Sequence, residues 1–253
     1  MGEYSTNLSR ESPMTTTMFS PALLSYSKTH DPNPPVHLGS RYRKTGGFLP
    51  EAGNTIVCHI EKGSQTQNVL IEAREKYLAT PEAAQFLFTP ISSLHMTLFE
   101  GIIETGRRQN YWPGYLPLET PIDDMTELMG ARLEGFSMSD PFKVAIVEAR
   151  PSGLLVEGAT EADRKVMRAW RNVLADLLGY RQPNHEDYKF HMTFAYAIEK
   201  LEDEALPRWQ AMLDEVAEDI RRKAPVFELT PPAFCVFEDM NHFHELLIFD
   251  FDA

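Results

Sequence analysis

Apolar and polar positions along the chain follow two rhythms. The run "NTIVCHI" from Asn54 to Ile60 is dense in apolar and β-branched residues and predicts a strand, after which Val69, Ala73 and Tyr77 recur at helical spacing. A second run, "LHMTLFEG" from Leu94 to Gly101, returns to the two-residue period of a strand. The second half repeats this order. "FKVAIVEA" from Phe142 and "LLVE" from Leu154, separated by a turn at Arg150 to Gly153, predict a hairpin. A helix follows, opened by the capping pair Thr160 and Asp163, striped by Val166, Trp170, Val173 and Leu177, and stopped at Gly179. The run "FHMTFAYA" from Phe190 to Ala197 completes a second strand, helix, strand set.

Outside these repeats the pattern is simpler. Trp209, Met212, Leu213, Val216 and Ile220 mark an amphipathic helix between Pro207 and Pro225. "AFCVFEDMNHFHELLIFDF" predicts a closing hairpin that turns near Asp239 to Asn241. Between the halves, "NYWPGYLPLETP" reads as a long surface loop within residues 101–124, leading to a helix near Met125 to Leu133. Residues 1–50, rich in Ser, Thr, Pro and Gly, read as an N-terminal arm, partly mobile. The arm ends in the basic loop "GSRYRKTGGF", where Arg41, Arg43 and Lys44 serve either an anion site or a solvated turn. Residues 51–253 are then expected to form a single α+β domain.

The bulk properties narrow the partners. With 24 basic against 37 acidic side chains, the formal charge of −13 opposes sequence-independent binding of long duplex nucleic acid, which depends on neutralising phosphates. A small anion in one local basic pocket is compatible with that balance. The sequence contains no apolar run long enough to span a bilayer, and "MGEYSTNLSR" lacks a signal-peptide core, so no membrane partner and a cytoplasmic location are the expectation. Cys58 and Cys235 sit in strand-like runs without metal-ligand spacing and are expected as buried free thiols rather than a disulfide.

Candidate chemistry comes from the repeat itself. Both strands carry histidine, methionine, threonine in the same order, 96 residues apart. Strict alternation puts His95, Thr97 and Phe99 on one face, with Leu94, Met96 and Leu98 on the other. In the second copy, His191, Thr193 and Ala195 oppose Phe190, Met192 and Phe194. Each copy thus pairs a core face with a face bearing an imidazole beside a hydroxyl. One such strand is ordinary, whereas two with the same facing suggest a shared site.

The motifs "HMTL" at His95 to Leu98 and "HMTF" at His191 to Phe194 resemble those of the 2H phosphoesterase superfamily, named for two H-x-T/S motifs on strands of two similar lobes. The resemblance covers about Asn54 to Ala253. It implies a bilobal fold with two antiparallel-rich sheets, flanking helices and a pseudo-twofold axis through a central groove. It also implies a hydrolase acting without a metal or other cofactor on a small cyclic phosphate, a 2′,5′ linkage or an RNA end. His95 and His191 would be the catalytic pair, and Thr97 and Thr193 the phosphate-holding hydroxyls. Lys189 and Tyr196 in the flank "PNHEDYKFHMTFAY" would contact the substrate, and Arg41 and Arg43 of the basic loop, which the resemblance does not cover, are further substrate-binding candidates. By parity Lys189 shares the His191 face, whereas Tyr188 and Tyr196 fall on the Met192 face, at the core or rim.

Paired imidazoles suit phosphodiester cleavage because a pKa near 6.5 lets one ring accept a proton while the other donates one. Two other readings stay open. His242 and His244 form a "HFH" pair that, with His95 or His191, would suit a metal-dependent hydrolase. A nucleotide-binding module that turns nothing over is the third.

Overall fold

Strand β1 (Gly53–His59) is buried along almost its whole length because it runs inside a sheet. β3 (His95–Ile103) pairs with one of its edges and β8 (Ala233–Phe237) with the other, and β9 (His244–Ile248) completes the order β3-β1-β8-β9. A second sheet has the order β4-β5-β6, built from β4 (Val144–Arg150), β5 (Gly153–Gly158) and the short β6 (His191–Thr193). β2 (Phe86–Phe88) pairs separately with β7 (Ala195–Ala197). The computed structural model describes residues 19–138, 140–249 and 251. All its named strand pairs are antiparallel, so the fold is mixed α and β with antiparallel sheets, and no barrel closes among the described residues.

Both motif strands are edge strands of their own sheets, and β3 contacts β6. The helices tie the sheets together by crossing over. α2 (Gln65–Leu78) follows β1, yet its Val69, Leu70 and Tyr77 share a core with Val144, Ile146 and Leu154 of the second sheet. That core also holds Trp209, Leu213, Val216 and Ile220 of α5 (Leu206–Lys223). α4 (Glu161–Leu178) follows β5, but its Trp170, Leu174 and Leu178 pack with Ile56, Leu98 and Phe99 of the first sheet and with α3 (Ile122–Leu133). Neither sheet therefore has a complete core without the other half of the chain.

Local signals placed α4 well and its buried stripe poorly. Thr160 and Asp163 form a reciprocal capping box, of the kind typically worth about 1 kcal/mol, and Gly179 ends the helix with φ 76°. The face turned inward carries Met167, Trp170, Arg171, Leu174 and Leu178, whereas Val173 is exposed. The expected stripe is thus rotated, because tertiary packing selects a face that includes an arginine. The loop between the halves also differs from a free surface loop. Trp112 is buried and donates from Nε1 to the Pro117 carbonyl, and Tyr115 donates to the Leu178 carbonyl at the end of α4.

The expected arm at 1–50 falls partly outside the described residues, which begin at Phe19. From there the chain lies against the second half. α1 (Pro21–Leu24) buries Leu23, Ser27 donates to Asp203 at 2.6 Å, and Tyr42 donates to the Ala197 carbonyl at 2.7 Å. Cys58 and Cys235 are buried free thiols.

Candidate functional site

The two H-x-T stretches share three backbone devices. Each histidine is bonded through Nδ1 to the carbonyl of the residue two positions earlier, His95 to Ser93 at 2.7 Å and His191 to Lys189 at 3.0 Å. A carbonyl only accepts, so Nδ1 carries the proton and Nε2 is left as the chemically active nitrogen of each neutral ring. Each stretch lies on a sheet edge. In each, the strand is irregular at the residue after the threonine. Between β1 and β3, Val57 opposes Thr97 and Ile56 opposes Phe99, which leaves Leu98 as the extra residue. In the second copy the amides of Phe194 and Ala195 both donate to the Ser152 carbonyl, which places the irregularity at Phe194.

These bulges correct the simple alternation. Phe99, expected beside His95 and Thr97, turns into the core, and Glu100 takes the cavity side instead. Ala195 likewise turns into the core, and Tyr196 comes onto the cavity face. Glu100 and Tyr196 are thus equivalent positions, each three residues after its threonine. Gly153 permits the second bulge, since a Cβ there would lie 2.1 Å from the Met192 carbonyl oxygen.

His95, Thr97, His191 and Thr193 all line one cavity of about 330 Å³. Arg41 and Tyr196 line it as well. Arg41 is anchored by the buried Glu51 carboxylate at 2.5 Å and lies 5.8 Å from the Tyr196 ring centre. Arg43 and Lys189 are not in the wall. Arg43 is exposed and reaches the Phe48 carbonyl, while Lys189 supplies the carbonyl that orients His191. The parity argument fails for Lys189 because β6 begins only at His191.

Residues that sequence reasoning missed come from distant segments. Asn54 enters from β1, His37 from the N-terminal segment, Arg108 and Tyr111 from the aromatic loop, and Gln182 from the stretch before β6. No local pattern marks them. Tyr188, expected at the core or rim, lines the cavity. Its ring lies under the buried Arg171 guanidinium at 4.0 Å, a cation held by donation to the Leu98 carbonyl at 2.8 Å. The Tyr188 hydroxyl is buried near Thr97 but makes no hydrogen bond of ordinary geometry among the described residues. Burial pushes its pKa up, so it remains a donor.

The two imidazoles differ in surroundings. His95 is half-buried, with the Phe243 ring centre at 4.2 Å and that of His59 at 6.1 Å. Burial, with smaller contributions from the charges His59 and His191 would carry, pushes its pKa down to about 4 despite the Ser93 hydrogen bond. His95 is therefore neutral at physiological pH. His191 is exposed at the cavity, with the Tyr188 ring centre 6.3 Å away.

His242 and His244 lie together with ring centres 4.2 Å apart, His244 opening β9 and His242 in the turn before it. Neither lines the cavity of His95 and His191. Among the described residues, no group of three or more His, Cys, Asp or Glu side chains is placed to hold a metal ion. No helix among them is long and apolar enough to cross a membrane.

Residues 41–155 match the family model 2H-phosphodiest, described as a domain of unknown function (DUF1868). Among solved structures, the chain is similar to the conserved protein of unknown function ATU0111 from Agrobacterium tumefaciens str. C58. The two share 49% identity over 91% of this chain and 100% of that one, with a TM-score of 0.89. No curated protein matches.

Proposed function

Since the chain belongs to the family of that Agrobacterium protein and matches a 2H-phosphodiesterase-type domain over residues 41–155, we propose that it hydrolyses a small phosphodiester by paired-histidine acid and base catalysis. The observation that carries this reading is the convergence of His95, Thr97, His191 and Thr193 on one cavity from the edges of two sheets. The shared tautomer, edge position and bulge of the two motifs support a bilobal, pseudo-twofold arrangement around a central groove.

In the proposed reaction the phosphate lies between the two Nε2 atoms. His95, held neutral by burial, accepts the proton of the attacking water as its oxygen bonds to phosphorus. Protonated His191 gives its proton to the ester oxygen as that P–O bond breaks. Thr97 and Thr193 donate to the non-bridging oxygens, and each such preorganised donor typically contributes about 3 kcal/mol to lowering the barrier. Arg41, its charge balanced by Glu51, offers its remaining guanidinium N–H groups as donors nearby, and Tyr188 a further hydroxyl. Proton transfer and hydrogen bonding supply the chemistry without a Lewis acid, so the proposed reaction is metal-independent.

The candidate substrates are 2′,3′-cyclic phosphates, 2′,5′-linked dinucleotides and RNA ends, and the proposed setting is the cytoplasm. The experiment is turnover of a panel of these diesters before and after exhaustive chelation. Hydrolysis that survives chelation is expected. Loss restored by zinc or manganese would favour a metal-dependent hydrolase, and nucleotide binding without any turnover would favour a non-catalytic module.

A further inference from the structure

Behind His191 lies a second cavity, of about 370 Å³, between the N-terminal segment and β7. Tyr26, Asp31, Val36, Tyr42 and Lys200 contribute to its wall. It shares His37, His191, Thr193 and Tyr196 with the first cavity, whereas His95 and Thr97 line only the first. The pseudo-symmetric motifs therefore open onto an asymmetric pair of chambers, with His191 and Thr193 at the junction.

The segment that contributes Tyr26, Asp31 and Val36 is docked by contacts beside the chamber. Ser27 is fully buried and bonds to Asp203, the Lys28 amide donates to the Leu201 carbonyl at 3.0 Å, and Tyr42, 2% exposed, is pinned to Ala197. The matched family domain begins at residue 41, so Tyr26, Asp31 and Val36 lie outside it. Away from His191 at the junction, the chamber is also electrically quiet. Lys200, its one lysine, pairs with Asp31 at 2.6 Å, and burial, aided by Arg41, lowers the pKa of His37 toward the neutral ring. What remains is tyrosine faces, hydroxyls and small apolar groups, a lining that suits an uncharged planar ring with a few hydrogen-bonding atoms. A second phosphate would find no unpaired lysine or arginine in this lining.

We propose that the second chamber seats the neutral planar group carried by one ester oxygen, so that the substrate is an open diester with an organic group on each side of phosphorus. This rests on the paired-histidine reading of the first cavity. Water adds its oxygen to phosphorus and loses a proton to His95. The P–O bond toward the second chamber breaks, its electron pair leaves with the departing oxygen, and that oxygen takes the proton of His191. His191 has this role because it is the member of the pair that lines both chambers. A small cyclic phosphate with no planar group would leave the second chamber unused.

The test fills the chamber from positions with no part in the chemistry. Val36, 89% exposed, and Ser25, also exposed, line it, and Val36→Trp and Ser25→Trp place an indole there without disturbing the core. The probes are adenylyl-(2′→5′)-adenosine, adenylyl-(3′→5′)-adenosine and glycerol 1,2-cyclic phosphate, which carries no planar group, for turnover, with adenosine for calorimetric binding. In the wild type, one of the open diesters is expected to exceed the cyclic phosphate in kcat/KM. Each tryptophan should lower that advantage by about tenfold or more, leave the cyclic substrate within about twofold, and weaken adenosine binding in parallel. If both variants keep full rates on open diesters and full adenosine affinity, the chamber assignment is overturned while the paired-histidine reading stands. If the wild type turns over none of the diesters yet binds adenosine in a Val36-dependent way, the catalytic reading fails and the chamber remains a binding site. Absence of both turnover and adenosine binding overturns both.

Discussion

The strand bearing His95 and the strand bearing His191 begin from the same three residues and end in different environments. β3 has nine residues, and its histidine is packed under Phe243 beside His59. β6 has three, is followed at once by a bulge, and leaves its histidine open to the cavity. The local sequence sets what the copies share: the carbonyl-bound Nδ1, the core-facing methionine and the bulge after threonine. Residues far away set what differs, because Phe243 comes from the turn before β9 and His59 from β1. Such division of labour makes a matched pair chemically unequal, which acid and base catalysis requires.

The largest effect that probes this symmetry falls on the fold. Met96 and Met192 are buried at 0% and 1% exposure, each opposite its site face. Met96→Asp or Met192→Asp places a carboxylate in the core and should abolish the cooperative thermal transition, since the cost of several kcal/mol rivals the stability of a domain. A folded Met192→Asp protein with a Met96→Asp protein that does not fold would show that the second copy is only superficially equivalent.

Next in size are the hydroxyls. Thr97→Val and Thr193→Val keep the strand-favouring shape and remove one donor each, so kcat should fall about 100-fold with KM little changed. Equal losses support a phosphate held symmetrically. A loss confined to Thr193→Val would move the phosphate toward the second strand.

A smaller effect sharpens the contrast between the imidazoles. Because His95 is depressed to about 4, a base at this position stays competent well below pH 6.5, and the acidic limb of kcat/KM should lie beneath the ordinary histidine value. Phe243→Ala admits water to the ring, weakens the penalty on its charged form and should raise that limb toward 6.5. The sign follows from burial as the main cause, and a limb that stays put in Phe243→Ala would place the relevant base elsewhere.

Much of the local scaffold was legible. Val69, Ala73 and Tyr77 do bury one face of α2, Gly179 does cap α4, and Asp239 and Asn241 do close the last turn. The paired motif was also visible, and its members line one cavity as their repeated facing suggested. The errors share a physical origin. Strand alternation is a property of regular backbone, so one extra residue at Leu98 and one at Phe194 carried Phe99 and Ala195 into the core and brought Glu100 and Tyr196 to the site. Lys189 was misplaced because the strand had not yet begun. Arg108, Tyr111 and His37 arrive through long connections whose docking depends on tertiary contacts, such as Trp112 in the core, that no periodicity encodes.

The account's central claim is that His95 and His191 act as one catalytic unit on one phosphate, and a double-mutant cycle tests it most directly. The wild type, His95→Ala, His191→Ala and the double variant would be compared in kcat/KM on whichever panel diester the wild type cleaves best, with folding checked by thermal melts. Each single substitution should cost about 100-fold or more, and the double variant should lose little beyond the worse single, because removing either proton-transfer partner already disables the pair. Folded single variants with full rates, or losses that multiply in the double variant as for independent sites, would contradict it.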